Sequence, residues 1–267
     1  MTLISGALRR FALTIQRRKF SRYQPKFASD LSFSEAVIGF TSRNSLHAYM
    51  HHYLQHLAPS PIREHRKYFS LKMRGFGEDA LHAMWWTLLR EYKPKLVLEI
   101  GVYRGQVVSL WGLIGKLIGH RIEVHGVSPF SPVGDQVSSY LPNLDYLQDA
   151  LSANKHFGLP DPYFIKAFST DVGAIAYIKS RRWDLIYIDG NHDYEVALAD
   201  YMLCKDSLSE GGLLVLDDSS LYTDFHPPLF SFAGHPGPSR IVQERAVHEL
   251  QFLGAVGHNN VFMKLKA

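Results

Sequence analysis

The stretch from residue 183 to residue 219 most constrains the fold, because its pattern predicts a strand, a helix and a second strand. Two short apolar runs, residues 185–188 and 213–216, are bounded by turn residues, as buried parallel strands are. Apolar residues recur at helical spacing between them, and Gly211-Gly212 is expected to end that helix. A right-handed crossover leaves both strands parallel, with their carboxyl ends at one edge of the sheet. The side chains expected to converge there are those of Asp189, His192, Asp217 and Asp218.

The composition predicts one main domain. With 46% hydrophobic and 20% charged residues, the 267-residue chain can bury one substantial core. The single cysteine, Cys204, excludes a disulfide framework and a thiolate metal site, which favours a reducing, cytoplasmic compartment. No apolar run approaches the roughly 20 residues that span a bilayer, and the N-terminus lacks the long apolar core of a signal peptide. We therefore expect a soluble protein.

Positive charge is concentrated in residues 1–29, which contain basic residues and no acid, although the whole chain carries a net charge of only +4. A solvated, partly disordered leader is the favoured interpretation of this tail. Apolar residues among the arginines could instead form a basic amphipathic helix in weak contact with an anionic membrane surface or a partner, and an organelle-targeting segment is a further alternative. Nucleic-acid binding is not expected, because the basic residues are confined to this tail and no recognition motif accompanies them.

Helices are expected from residue 32 to about residue 66, with a break and a candidate domain boundary at residues 59–61. Four histidines of this segment follow i, i+4 spacing, as a metal-binding helix face does, but no carboxylate lies nearby. An exposed polar face is therefore the favoured interpretation of His47, His51, His52 and His56. A further helix is expected from residue 77 to near Pro94.

A glycine turn follows the apolar run at residues 95–100. The run ends with an acid, Glu99, and is followed by Gly101; the turn continues to Gly105, and a helix is expected over residues 107–118. Glycines at these two positions let the backbone turn tightly and approach a ligand. The order of strand, acid, glycine turn and helix is typical of a nucleotide-type site. The dinucleotide fingerprint and the Walker lysine are absent, which argues against NAD and ATP.

The sequence Glu-Ile-Gly-Val-Tyr-Arg-Gly-Gln at residues 99–106 resembles the first motif of class I S-adenosylmethionine-dependent methyltransferases, in the form seen in catechol-type and macrolide-sugar O-methyltransferases. The resemblance extends from about residue 75 to the C-terminus. It implies an α/β fold: a Rossmann-like, doubly wound seven-stranded sheet, mostly parallel, with a C-terminal antiparallel hairpin. The helices expected before residue 75 add a helical N-terminal extension. The resemblance also implies S-adenosylmethionine as the cofactor, held by Glu99, Gly101, Tyr103, Gly105 and Gln106.

The resemblance implies further cofactor contacts after the second and third strands. Ser128 stands where the family has a ribose-binding acid, and one hydroxyl cannot chelate both ribose hydroxyls as a carboxylate does. The alternative is that Ser128 only begins the turn at Pro129. Ser169 and Thr170 match residues that flank the adenine, and they also fit an N-cap of the next helix.

The resemblance also implies a metal site at the acids of the opening stretch. Metal-dependent members of the family hold a divalent cation with an aspartate after the fourth strand and an acidic or amide pair after the fifth. Asp189 and the pair Asp217-Asp218 match these positions. Mg²⁺ prefers oxygen ligands and would lower the pKa of an acceptor hydroxyl. Helix capping and turn formation are the alternative roles of the aspartates.

His192 is the candidate general base, because its ordinary pKa lies near 6.5 and a histidine is the suggested base of the macrolide-sugar enzymes. Its alternative role is a hydrogen bond to Asp189 or to solvent. A long aromatic and proline-rich loop, residues 221–238, is expected to close over the acceptor. Tyr222, His226 and His235 are its candidate acceptor contacts.

These features predict an S-adenosylmethionine-dependent, Mg²⁺-assisted O-methyltransferase that acts on a hydroxyl of a sugar, a glycan or a glycosylated natural product and forms a homo-oligomer. One alternative is a metal-dependent hydrolase or hydroxylase on the same carboxylates, although a facial triad would need two histidines and one carboxylate. Another is a non-catalytic binding module, if Ser128 has removed the cofactor affinity. The predicted parts are a basic tail (1–30), a helical cap (31–74) and a methyltransferase domain (75–267).

Overall fold

Seven strands in the described part of the chain form one sheet, which confirms the predicted fold class. The computed structural model describes residues 3–135, 137 and 140–266, without the side chains of residues 3–10 and of Met73. The strands are β1 (Leu96–Ile100), β2 (Glu123–Ser128), β3 (Tyr163–Lys166), β4 (Trp183–Ile188), β5 (Leu208–Leu216), β6 (Gln251–Val256) and β7 (Asn259–Met263). Their order is β3-β2-β1-β4-β5-β7-β6. β1 to β5 are parallel, and β7 is antiparallel to β5 and β6.

Helices surround this sheet and form the N-terminal extension. They are α1 (Leu3–Phe20), α2 (Phe33–Gly39), α3 (Arg43–His56), α4 (Ser60–Ser70), α5 (Asp79–Tyr92), α6 (Gln106–Leu117), α7 (Tyr146–His156), α8 (Val172–Lys179), α9 (Tyr194–Ser207), α10 (Pro236–Ile241) and α11 (Val247–Glu249). A π-helical segment, Val242–Ala246, joins α10 to α11. Among the helices of the described residues, none is long and apolar enough to cross a membrane.

Two hydrophobic clusters lie on opposite faces of the sheet, because successive strand residues point to opposite sides. Leu185 and Tyr187 of β4 belong to the cluster with the N-terminal helices. Ile186 and Ile188 belong to the cluster with α8, α9 and α10. All four side chains are buried, which explains why the run is continuously apolar instead of alternating.

The parallel ladder continues one residue beyond the strand ends, and this brings the predicted site residues together. The amide of Gly101 donates to the carbonyl of Val127 at 2.9 Å, and that of Asp189 donates to Ile100 at 2.8 Å. The amide of Asp217 donates to Ile188 at 3.0 Å. The loops after β1, β4 and β5 therefore begin side by side, as the strand-helix-strand interpretation predicts.

The predicted end of the crossover helix is wrong. α9 ends at Ser207, before the helix end expected at Gly211-Gly212. Leu208 is extended, begins β5 and pairs with Trp183 of β4. Gly211 lies inside β5 with φ of 75°, where the register between β4 and β5 shifts. The glycine pair thus accommodates an irregularity in the strand, a position where glycine is also favoured.

The exposed polar face predicted for the histidines of α3 is also wrong. His47, His51 and His52 are buried, and only His56 is exposed. The reason is that the chain after α1 covers this face: for example, the hydroxyl of Ser21 lies 2.9 Å from Nε2 of His51. None of the four belongs to a group of potential metal ligands among the described residues.

The cap packs on the core of the larger domain. Phe33 and Tyr49 of the cap are fully buried in the same cluster as Trp85 of α5 and Val97 of β1. Pro59 is the N-cap of α4 and marks the turn between α3 and α4. The division of the chain at residues 30 and 74 stays a prediction.

Candidate active site

A cleft of about 840 Å³ opens at the carboxyl edge of the parallel strands. All but one of the residues that the sequence singles out for cofactor, metal or base line this cleft. They are Glu99, Gly101, Tyr103, Gln106, Ser128, Ser169, Thr170, Asp189, His192, Asp217 and Asp218. The exception is Gly105, which is the N-cap of α6 with φ of 80°. A Cβ atom there would lie 2.9 Å from the Cα of Ala150, so glycine is needed for helix packing behind the wall.

The glycine turn joins the cofactor side of the cleft to the acid side. Gly101 has φ of 97°, and a Cβ atom on it would lie 1.9 Å from the carbonyl oxygen of Asp189. Glu99, at the end of β1, is buried, and its Oε2 has no hydrogen-bond partner in the described part of the chain. Burial, together with the nearby charge of Asp217, raises the pKa of Glu99 to about 8. A buried acceptor of this kind fits a cationic, hydrogen-bond-donating ligand.

The hydroxyl residues contribute unequally to the wall. Ser128 is buried and donates its hydroxyl to the carbonyl of Val102 at 2.8 Å, so it braces the glycine turn. Only its lone pairs remain for a ligand. Ser169 hydrogen-bonds Asp200 of α9. Neither Ser169 nor Thr170 caps α8, because the N-cap is Asp171.

The pKa values of the three aspartates are shifted in different directions. Asp189 and Asp217 hydrogen-bond each other. Burial and the charge of Asp217 raise the pKa of Asp189 well above its usual value, and burial and the charge of Asp218 raise that of Asp217. Burial would also raise the pKa of Asp218, but the hydrogen bond from His192 and the charge of His258 lower it. Asp189 and Asp217 therefore hold a proton more readily than an ordinary aspartate does, and Asp218 holds one less readily.

A buried histidine supplies positive charge to this cluster. Nε2 of His258, in the β6–β7 turn, lies 3.3 Å from Oδ1 of Asp217 and 3.7 Å from Oδ1 of Asp218. Its Nδ1 lies 3.8 Å from Glu78, which in turn hydrogen-bonds His47 at 3.1 Å. Burial lowers the pKa of His258, but the surrounding carboxylates outweigh burial and raise it to about 9. The ring is thus an imidazolium at neutral pH.

His192 lies between two carboxylates. Its Nδ1 is 2.6 Å and its backbone amide 2.8 Å from Oδ2 of Asp135, and its Nε2 is 3.0 Å from Oδ2 of Asp218. Burial lowers the pKa of His192, but the hydrogen bond and charge of Asp218 and the charge of Asp135 raise it above its usual value. The alternative role predicted for His192 was a hydrogen bond to Asp189; its ring nitrogens instead lie next to Asp135 and Asp218. Sequence reasoning missed Asp135, Glu78 and His258.

Two sets of side chains offer potential metal-ligand atoms within 4.8 Å of one another in the described residues. One is Asp217, Asp218 and His258; the other is His192, Asp218 and His235. Asp189 belongs to neither set and contacts the cluster through Asp217. Of the three predicted acceptor contacts in the loop over residues 221–238, only His235 lines the cleft.

A family model described as a methyltransferase domain matches residues 98–219, the segment that carries the glycine turn and all three aspartates. No curated protein sequence matches the chain. The fold is similar to those of solved structures over most of its length.

An O-methyltransferase from Bacillus cereus in complex with SAH has a TM-score of 0.54 and 14% identity, and the match covers 84% of this chain and 100% of that one. An SAH-bound methyltransferase from Podospora anserina has a TM-score of 0.52 and 16% identity, with 79% and 89% covered. A putative caffeoyl-CoA O-methyltransferase from Staphylococcus aureus has a TM-score of 0.53 and 14% identity, with 79% and 94% covered. At these identities, the likeness is one of fold.

Proposed function

We propose that this chain is a class I S-adenosylmethionine-dependent O-methyltransferase that acts on a hydroxyl of a sugar, a glycan or a glycosylated natural product and uses Mg²⁺; its matched domain and its fold support the proposal. The observation that carries the proposal is the position of His192. It lies between Asp135 and Asp218 at the sheet edge where Gly101 contacts the backbone of Asp189. A base and a methyl-donor site thereby share one cleft.

The cleft fits S-adenosylmethionine through its buried, unpartnered acceptor. When bound, this cofactor supplies an electrophilic methyl group on a positively charged sulfur. Oε2 of Glu99 would accept hydrogen bonds from the amino-acid end of the cofactor, and a cationic group there would favour the ionised carboxylate. Gln106 orders the adjoining wall, because its Oε1 accepts a hydrogen bond from the amide of Gly77.

The acid cluster fits a divalent cation because its negative charge is incompletely balanced. Burial and the charge of a neighbouring aspartate raise the pKa of both Asp189 and Asp217, although the imidazolium of His258 lies beside the cluster. Asp217 and Asp218, joined by Asp189, are the residues that would hold Mg²⁺. When bound, the cation would lower the pKa of the acceptor hydroxyl and hold its oxygen.

His192 takes the proton of the acceptor in this proposal. In the structure His192 donates to both carboxylates, so it becomes the base once it has given up the Nε2 proton that it donates to Asp218; the neutral ring keeps Nδ1–H on Asp135 and offers the lone pair of Nε2 to the hydroxyl proton. The O–H bond breaks as the new O–CH₃ bond forms and the S–CH₃ bond breaks, and the proton moves to Nε2. Asp218, 3.0 Å away, then stabilises the imidazolium. The remaining requirement is in-line positioning of the acceptor oxygen.

Calorimetric titration with S-adenosylhomocysteine tests the cofactor site, and no detectable binding at millimolar ligand would contradict it. The acceptor class is tested with methyl-labelled S-adenosylmethionine and a panel of oligosaccharides and glycosides, with and without a chelator. Label in a methyl ether of the sugar supports the proposal. Label found only on amines or phenols would contradict it.

A metal-dependent hydrolase or hydroxylase is the second candidate, and one observation favours it. His192, Asp218 and His235 form a set of two histidines and one carboxylate, the ligand type of transition-metal oxygenases. Oxygen consumption or hydrolysis that needs Fe²⁺ or Mn²⁺ and proceeds without S-adenosylmethionine would select this candidate. Cofactor binding without transfer to any acceptor would instead favour a binding module.

We also place the protein in the cytoplasm. Its one cysteine, Cys204, is a fully buried free thiol. A reducing compartment suits such a thiol. Fractionation of the source cells tests this location.

A further inference from the structure

Helix α1 lies over the cleft and is attached to the loop of residues 221–238. The amide of Leu229 donates to Oε1 of Gln16 at 2.6 Å. The guanidinium of Arg17 lies 5.5 Å from the centre of the Phe230 ring, and the ring of Phe20 lies 5.2 Å from the same ring. Leu13, Arg17, Leu229 and Phe230 all line the cleft. The C-terminal half of α1 is thus part of the cleft roof.

The outward side of α1 is apolar and basic. Phe11 is 65% exposed and Ile15 is 39% exposed, and their i, i+4 spacing places them on one face. Leu229, which is hydrogen-bonded to the helix, is 62% exposed. Arg18 and Lys19 follow on the exposed surface. Neither of these two basic side chains has an acidic partner in the described residues, and residues 1–29 contain no acid.

We propose that the outward side of α1 binds the surface of an anionic lipid bilayer. A helix with aromatic and aliphatic side chains beside arginines and lysines lies in the bilayer interface, with its apolar side chains in the acyl boundary and its cations at the head groups. The uncompensated positive charge complements an anionic surface. A nucleic acid would use the same charges but leave Phe11 and Ile15 in water.

This binding mode places the cleft against the membrane, because the same helix contributes its inner side to the cleft roof. Resting on the proposed function, it follows that the acceptor is a hydroxyl on a membrane-attached molecule. That acceptor would enter the cleft beside α1, on the side of the protein that faces the bilayer. Binding to vesicles does not depend on methyl transfer, so the two proposals can fail separately.

Vesicle flotation with the full chain tests the proposal. The protein should float with vesicles of phosphatidylcholine and phosphatidylglycerol and remain behind with phosphatidylcholine alone. The double variant Phe11→Ser/Ile15→Ser should bind the anionic vesicles at least about tenfold more weakly than the wild type, because two apolar side chains no longer enter the interface. Arg18→Gln/Lys19→Gln should weaken binding similarly and reduce its salt dependence.

Leu117→Ser is the matched control, because Leu117 is also 39% exposed but ends α6, the helix that starts at the cleft and leads away from it. It should bind vesicles as the wild type does. Calorimetric binding of S-adenosylhomocysteine should be equal in all variants, which shows that they are folded. No flotation of the wild type, or equal flotation of the Phe11/Ile15 variant, would overturn the proposal. Dimerisation through this face or binding to duplex DNA, without flotation, would overturn it as well.

Discussion

Nδ1 of His192 lies 2.6 Å from Oδ2 of Asp135, a residue 57 positions earlier in the chain. The same carboxylate oxygen accepts the backbone amide of His192 at 2.8 Å, so Asp135 fixes both the ring and the turn that carries it. A carboxylate that holds one ring nitrogen selects the tautomer whose other nitrogen accepts a proton. Asp135 is therefore a positioning residue for the base.

Asp135→Asn should lower kcat by about 10- to 100-fold, because the amide keeps an acceptor oxygen but no longer stabilises the charged ring. The KM for S-adenosylmethionine should change little, since Asp135 acts through His192. Asp161→Asn, at an exposed position, is the control and should leave both constants unchanged. Steady-state kinetics measure both. An equal kcat in Asp135→Asn and the control would show that His192 needs no such partner.

Gly101→Ala should weaken binding of S-adenosylhomocysteine by about 100-fold or more, because the added Cβ would lie 1.9 Å from the carbonyl of Asp189 at a φ of 97°. Gly119→Ala is the matched control, since Gly119 also has positive φ, 65°, but nothing lies within 4 Å of its Cβ position. It should lose about 1 kcal/mol of stability and no affinity. Calorimetry and thermal denaturation separate the two effects. Normal affinity of Gly101→Ala would mean that the turn does not form the cofactor wall.

The strand ends could be predicted from sequence because each signal is local. Short apolar runs that end in Glu99, Asp189 and Asp217 specify strands, and the handedness of the crossovers brings their ends to one edge. The helix end was missed because glycine suits both a helix terminus and a strand irregularity. The strand irregularity applies here, and this becomes visible only in the structure, where Leu208 pairs with Trp183.

The partners of the site residues could not be predicted, because they arrive from distant parts of the chain without a local pattern. Asp135 lies in an irregular segment, and His258 lies in a hairpin turn whose residue types suit any turn. A histidine that follows a turn glycine carried no signal by itself. The hydrogen bond between His47 and Glu78, 31 residues away, likewise has no pattern in the helix that carries His47.

Asp217→Asn should abolish Mg²⁺-dependent turnover while sparing the fold. Asparagine keeps the oxygen that accepts from Asn259 at 2.7 Å but removes a charge needed by a cation. Added Mg²⁺ should raise the thermal midpoint of the wild type and not that of the variant. Asp206→Asn, whose side chain is 72% exposed, should respond as the wild type does. Unchanged turnover, or an unchanged Mg²⁺ response, would contradict a metal role for Asp217.

His258→Gln should make the protein less stable without metal and more responsive to Mg²⁺. Removing the imidazolium leaves Asp217, Asp218 and Glu78 without their buried cation, which costs about 3 kcal/mol. A divalent cation would then replace the lost charge, so the Mg²⁺-induced rise in thermal midpoint should exceed that of the wild type. Thermal denaturation across a Mg²⁺ series measures this. A variant that Mg²⁺ does not rescue would contradict the expectation that a cation can take the place of His258.

Two buried histidines outside the acid cluster should make the protein sensitive to mild acid. Nδ1 of His65 lies 3.1 Å from Nε2 of His82, and Nε2 of His65 lies 2.9 Å from the hydroxyl of Ser109, behind the glycine turn. Burial lowers the pKa of His65 from 6.5 to about 3 and that of His82 well below 6.5. Below about pH 6.5 the unfolded chain therefore binds protons that the folded protein excludes.

The free energy of unfolding should consequently fall by about 1.4 kcal/mol per pH unit for each of the two imidazoles, from about pH 6.5 down towards the folded pKa values. Above that pH their contribution is fully present. His82→Gln is less stable near neutrality but should lose stability less steeply on acidification. Only one imidazole, that of His65, then binds a proton in the unfolded chain and not in the folded protein. His226→Gln, at an exposed position, should keep the wild-type slope. Urea titrations across this pH range measure the slopes, and equal slopes for wild type and His82→Gln would show that His82 already binds its proton in the folded state.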